Sequence, residues 1–216
     1  MKLILLENNQ NRYKSELKTI ELFGLSRSGK TFLLKKLIQD GKSGILNENI
    51  SFYRKLLLFL EHFVKNPMKT SYVIYKTNIN WIFIKNLRIK NYLRIFLLRN
   101  SYLAAMFAKY EVSKECKKEL FIEEFLIQSL QIIFHKKSSE KEILRLLKIL
   151  PRSYKILLIE SSEKVRYQRI KNTRFPGEQV NKDYAVQWMK NTESNYKIIK
   201  KILLKNYGPI KLNPKF

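Results

Sequence analysis

The sequence predicts an α/β fold, with a mainly parallel sheet covered by helices on both faces. Three observations carry this expectation. Apolar, β-branched segments alternate along the chain with segments of helical periodicity. The run Tyr154-Lys155-Ile156-Leu157-Leu158-Ile159-Glu160 is the clearest buried strand. Residues 18–23 (Lys-Thr-Ile-Glu-Leu-Phe) form a strand signal that ends directly at Gly24, ahead of a helical stretch.

Taken in order, residues 1–17 read as a short leader or an additional strand. The strand at 18–23 leads through a glycine-containing loop to a helix over 32–38, stopped by Asp40-Gly41. Gly44-Ile45-Leu46 is a second strand candidate. From Phe52 to about Lys65, Leu56, Leu57, Phe59, Leu60 and Phe63 recur at helical spacing, and Asn66-Pro67 ends the run. Residues 70–110 continue the helical pattern with aromatics and basic residues mixed, and 111–118 reads as a loop or helix end. A buried strand follows at 119–125, then helices at 126–134 and 140–150, the latter broken by Pro151. After the 154–160 strand come a helix to about 171, a polar segment around Phe175-Pro176-Gly177, a long helix over 184–204 and a last strand at 209–212. The chain therefore reads as one domain, with 52–118 as a helical insertion between the second and third strands.

The 216 residues are enough for a substantial core, and an apolar share of 45% excludes wholesale disorder. Cys116 is the only cysteine and His62 and His135 the only histidines, which excludes a disulfide framework and disfavours a Cys/His metal centre. The basic, apolar start at Met1–Glu7 is too short for a signal peptide, and Arg94 and Arg99 interrupt the most apolar stretch. No run reaches the roughly 18 apolar residues of a membrane span, so a soluble, cytoplasmic protein is expected. The net charge is +25, from 43 Lys and Arg against 18 Asp and Glu. Such an excess attracts polyanions or an acidic membrane surface, at least weakly. Equally, the abundance of Lys, Asn, Ile, Tyr and Phe fits compositional drift, and the lysines are scattered through nearly every segment.

The most specific feature is Gly24-Leu25-Ser26-Arg27-Ser28-Gly29-Lys30-Thr31, between the first strand and its helix. Glycines at those positions let the backbone curl around phosphate oxygens, and the helix N-terminus adds a favourable dipole. Lys30 is placed to reach the β- and γ-phosphates and the Thr31 hydroxyl to ligate Mg²⁺, with Phe32 next along the helix. The expected ligand is ATP or another nucleoside triphosphate. Glu123 and Glu124 stand at the end of the 119–125 strand, and in an open parallel sheet functional groups gather at the carboxyl ends of strands. Either carboxylate can hold Mg²⁺ or accept a proton from an acceptor hydroxyl. Arg166, Arg169 and Arg174 follow the 154–160 strand, and guanidinium groups there would clamp phosphates or neutralise a transferring phosphoryl group. The Phe175-Pro176-Gly177 turn suits a lid, over about 166–183.

These residues together resemble the P-loop kinases of the nucleoside and nucleotide kinase group, particularly thymidylate-kinase-like proteins, including those associated with bacterial surface glycan synthesis. The matching parts are Ile20 to Gly24 running into Ser28-Gly29-Lys30-Thr31, Phe121 to Gln128, and Ile156 to Glu160 followed by Arg169 and Arg174. The resemblance implies a three-layer fold with about five parallel strands, ATP with Mg²⁺, an arginine-bearing lid and phosphoryl transfer to a small acceptor. Glu123 stands where such proteins usually carry aspartate, and Phe125 where they carry glycine. Their Asp-Arg pair for an acceptor phosphate is not found. The acceptor therefore stays open among a nucleotide, a nucleoside and a glycan-related molecule, anionic or amphipathic, facing the helical insertion. Arg54, Arg88 and Arg94 are candidate contacts for it. Two other readings remain: a nucleotide-dependent regulator that binds nucleic acid, and a sulfotransferase-like enzyme. The sequence leaves oligomeric state and base preference open.

Overall fold

The structure, a computed structural model, describes residues 2–8, 18–45, 50–82, 89–134, 136–150, 153–171 and 182–210. Strands and helices alternate as expected: β1 (Lys2–Asn8), β2 (Thr19–Phe23), α1 (Lys30–Gln39), β3 (Gly44–Ile45), α2 (Phe52–Lys65), α3 (Pro67–Ile82), α4 (Ile89–Glu115), β4 (Leu120–Glu123), α5 (Leu126–Ile133), α6 (Glu140–Ile149), β5 (Lys155–Glu160), α7 (Glu163–Lys171), α8 (Lys182–Asn206) and β6 (Tyr207–Ile210). The polar stretch expected to be loop or helix end at 111–118 is helical as far as Glu115.

One sheet joins the described strands in the order β3-β4-β2-β5-β1-β6. It has six strands rather than about five. The extra one is β1, at the segment read as a leader or a further strand. β2 runs parallel to both β4 and β5, and β3 parallel to β4, while β1 runs antiparallel to β5 and β6. All strands but β1 therefore point the same way. The sheet is mixed, with a parallel centre.

Side-chain alternation divides the core into two layers, because successive residues of a strand face opposite sides. Ile20 and Leu22 of β2, Phe121 of β4 and Leu157 and Ile159 of β5 pack with Leu33, Leu34 and Leu37 of α1. On the other face Phe23, Ile122, Ile156 and Leu158 join residues of α4, α5, α6 and α8 in the larger cluster. Two helix boundaries show a local cause. Ser139 and Glu142 close a reciprocal capping box at the start of α6. Pro67 opens α3 at a position that needs no N–H, just beyond Asn66, the C-cap of α2.

The strand order also fixes where a ligand site belongs. From β2 the chain runs through α1 towards β3, on one side. From β5 it runs through α7 and α8 towards β6, on the other. Their connections diverge, leaving a crevice at the carboxyl ends of the two neighbouring strands, the location at which open α/β sheets hold ligands.

Candidate phosphate-binding site

The loop after β2 occupies one wall of that crevice, and its conformation depends on particular residues. Ser28 N–H donates to the Leu25 carbonyl at 3.1 Å, closing a turn. Arg27 has φ 64° and Gly29 φ 104°. Gly24 is required for a different reason: a Cβ there would lie 2.5 Å from the Ile159 carbonyl oxygen of β5 and 2.7 Å from Ser28 Oγ. Its N–H is held by Gln128 Oε1 at 3.2 Å, which ties the loop to α5. Gly29 caps α1 without any side-chain hydrogen bond, and no acidic residue stands in the first turn. No acidic residue of α1 itself therefore offsets the positive end of the helix.

Lys30 turns back into the loop. Its Nζ donates to the carbonyls of Gly24 and Leu25, each at 3.0 Å. The side chain is buried, and that burial lowers its pKa, against the opposing pull of Glu123 and Glu124. Beside it, Thr31 Oγ1 donates to Glu123 Oε1 at 2.5 Å. Thr31 and the acid at the end of β4 are 92 residues apart in sequence and in direct contact in the fold. Burial raises the Glu123 pKa, and neighbouring Glu124 adds to that, while the Thr31 bond and Lys30 work the other way. Glu124 has φ 52°, the left-handed region, as the chain turns sharply from β4 towards α5.

Two features here were not singled out in the sequence. Lys109, on α4, is buried and donates from Nζ to the carbonyls of Glu123 at 2.6 Å and Glu124 at 3.2 Å. Burial drags its pKa down to about 8. It fastens the turn that carries both carboxylates. Glu21, in the middle of β2, is fully buried and accepts from the N–H groups of Ile127 at 2.7 Å and Gln128 at 2.8 Å, and from Ser153 Oγ at 2.9 Å. It therefore caps α5 from the neighbouring strand and indirectly positions Gln128 against Gly24. A carboxylate inside an apolar strand was the available signal for Glu21, since a buried acid must find donors. Lys109 had none, being one of 43 basic residues.

The other wall of the crevice lies at the end of β5. A cleft of about 540 Å³ opens between Leu25 and Ser28 on one side and Glu160, Ser161, Arg166 and Tyr196 on the other. Ser28 Oγ, Ser161 Oγ and Arg166 Nε are buried there without hydrogen-bond partners, while Arg166 Nη2 bonds Glu193 at 3.3 Å. Tyr196 stacks on Phe23, and burial pushes its pKa to about 12. Arg169 reaches back to the loop, donating from Nη1 to the Arg27 carbonyl at 2.9 Å.

Of the expected site residues, Gly24, Leu25, Ser28, Gly29, Lys30, Thr31, Glu123, Arg166 and Arg169 thus converge on one region. Ser26 and Phe32 are exposed beside it. Arg174, the Phe175-Pro176-Gly177 turn, Arg88 and the Arg94 side chain lie outside the described residues, and Arg54 is exposed on α2. Among the described residues no three His, Cys, Asp or Glu gather as a metal site. No helix among them is long and apolar enough to cross a membrane. Comparison with protein families, curated proteins and solved structures finds no match to this chain.

Proposed function

We propose that this chain is an ATP- and Mg²⁺-dependent phosphotransferase, moving the γ-phosphoryl group of a nucleoside triphosphate to a small acceptor. The observation that carries this reading is the joining of Lys30, Thr31 and Glu123 at the carboxyl ends of two adjacent parallel strands. A cation folded into a curled backbone, a hydroxyl at a helix start and a carboxylate beside it form the set of groups that phosphate and a divalent cation require. The residues fit the metal: the Thr31 hydroxyl and Glu123 carboxylate are hard oxygen donors, and Mg²⁺ takes few protein ligands, with phosphate and water completing its octahedron. The metal would neutralise charge on the phosphates.

The chain's own groups supply the rest. Lys30 exchanges two loop carbonyls for phosphate oxygens, keeping an ammonium against the transferring group. Arg169, already anchored on Arg27, adds a second cation over the loop. Ser28, Ser161 and Arg166 offer unused polar atoms to the remainder of the nucleotide in the cleft. The acceptor oxygen bonds to the γ-phosphorus, the bond to the bridging oxygen breaks, and the acceptor's proton passes to Glu123 or Glu124.

A thermal-shift series with ATP, GTP, nucleoside monophosphates and a sulfated nucleotide, each with and without Mg²⁺, tests this. Stabilisation by a triphosphate that needs Mg²⁺ is expected, on the order of 3 kcal/mol at a hundredfold excess over Kd. Lys30→Ala should abolish most of it without altering the unliganded melting temperature by more than a few degrees. Unchanged nucleotide affinity in that variant would sink the reading. A response to the sulfated nucleotide alone, without Mg²⁺, would favour sulfuryl transfer instead.

A further inference from the structure

One helix of the insertion, α2, carries an exposed apolar face. On α2 the residues Phe52, Tyr53, Leu56, Leu57, Leu60 and Val64 fall on one arc of the helix, and all are exposed. Leu57 is 67% exposed and Val64 77%, and Met68, in the first turn of α3, is 86% exposed. The face turned to the protein packs Phe59 against the core and buries His62, whose Nδ1 lies 2.6 Å from Glu111 of α4. A second apolar face left in water, on a helix that already has an inward one, is not what folding alone selects. Contiguous exposed apolar surface of this kind is characteristic of interaction sites.

Charge identifies that partner. Residues 52–110 contain eleven Lys and Arg and one carboxylate, Glu61. The other seventeen acidic residues all lie elsewhere. The basic density of the insertion is ordinary for this chain; its distinction is the loss of acids. Arg54, Glu61 and Lys65 lie along the border of the stripe, with Lys69 exposed just beyond Met68. A second copy would bring like charges together across the interface, at a cost in repulsion. A nucleic acid would satisfy the charge but leave Leu56, Leu57, Leu60, Val64 and Met68 with no apolar surface to cover them. An anionic lipid surface satisfies both, with phosphates at the cations and acyl chains under the leucines.

We infer that the outer face of α2, continued by the first turn of α3, docks this protein on an anionic membrane surface. The helix lies in the interfacial plane with Leu57, Leu60 and Val64 in the acyl boundary. Arg54 and Lys69 sit at the headgroups. This face involves none of the phosphate-loop chemistry, so its test is separable from that of the nucleotide site.

Co-sedimentation of the full chain with vesicles of equal parts phosphatidylglycerol and phosphatidylcholine, against phosphatidylcholine alone, measures it. Binding to the anionic vesicles that weakens as salt is raised is expected. The double substitution Leu57→Glu with Val64→Glu, at exposed positions, should reduce vesicle affinity by about tenfold or more. Its circular-dichroism spectrum and melting temperature should stay those of the parent. Arg54→Gln with Lys69→Gln should flatten the salt dependence. Failure to pellet with anionic vesicles, equal binding to phosphatidylcholine alone, or full binding by the double variant would overturn the inference. So would a dimer in light scattering that the same double substitution dissolves, or an oligonucleotide complex equally sensitive to it.

Discussion

Gly24 and Glu21 show how single residues hold the loop in place, and both can be tested without any ligand. Alanine at Gly24 forces its Cβ against the Ile159 carbonyl, a backbone atom that can move only with β5. We expect Gly24→Ala to cost about 1–3 kcal/mol in urea unfolding and to reduce nucleotide-dependent stabilisation more than that loss explains. Glu21 gives a pH signature. Burial outweighs its hydrogen bonds from Gln128, Ser153 and Ile127, raising its pKa from 4.5 to about 7. The folded chain then holds a proton between those values that the unfolded chain has released, so this residue's contribution falls as pH rises from 4.5 to 7 and is flat above. Glu21→Gln retains an acceptor for the two α5 amides and removes the titration. The unfolding free energy of the parent, relative to this variant, should decline by on the order of 3 kcal/mol across that window. A difference independent of pH would refute the assignment.

At the scale of elements, α2 is held to α4 by a polar contact set among aromatic packing. His62 stacks on Phe107 with ring centroids 4.4 Å apart, and Glu111 also receives Lys114 Nζ. Burial lowers the His62 pKa, with the Glu111 bond opposing it. For Glu111 burial pushes upward, but the bonds from Lys114 and His62 prevail and lower it. A base and an acid with lowered values both lose their stabilising contribution as pH falls, His62 below about 6.5 and Glu111 below about 4.5. Glu111→Ala should therefore cost about 2 kcal/mol, with α2 amides exchanging with deuterium before those of the sheet. Helical spacing correctly placed α2 and the helix break at Asn66-Pro67. It could not say which arc faces inward, because apolar residues occupy nearly two thirds of this helix and burial is decided by α4. The same limit hid Lys109: its contact with Glu123 and Glu124 depends on how α4 packs, not on any local pattern.

For the molecule as a whole, the parallel centre of the sheet and the turn from β2 into α1 were legible because each rests on contiguous residues: Thr19–Phe23 with Gly24 to Thr31, and Lys155–Glu160. Strand order was not legible, since nothing in residues 2–8 records that they slot between β5 and β6. Charge was half legible. Counting lysines suggested uniform scatter, whereas the asymmetry lies in where carboxylates are missing. With +25 on 216 residues, self-repulsion should be relieved by screening. The melting temperature should rise with added sodium chloride across the submolar range, and a fall would contradict a repulsion-limited fold.

The position of β1 has a kinetic consequence. Lys2 pairs with Glu160 and Leu5 with Ile210, so β1 can find its neighbours only once β5, and then β6, have been synthesised. Until then β2, β4 and β5 can assemble while β5 presents an unpaired edge. Contacts of such long sequence separation slow folding. Refolding from urea should show an early phase that buries Phe23 and a later one that protects the amides of Lys2–Asn8. A chain halted before β5 would carry β1 as an unpartnered apolar ribbon, the point at which a chaperone has most to offer.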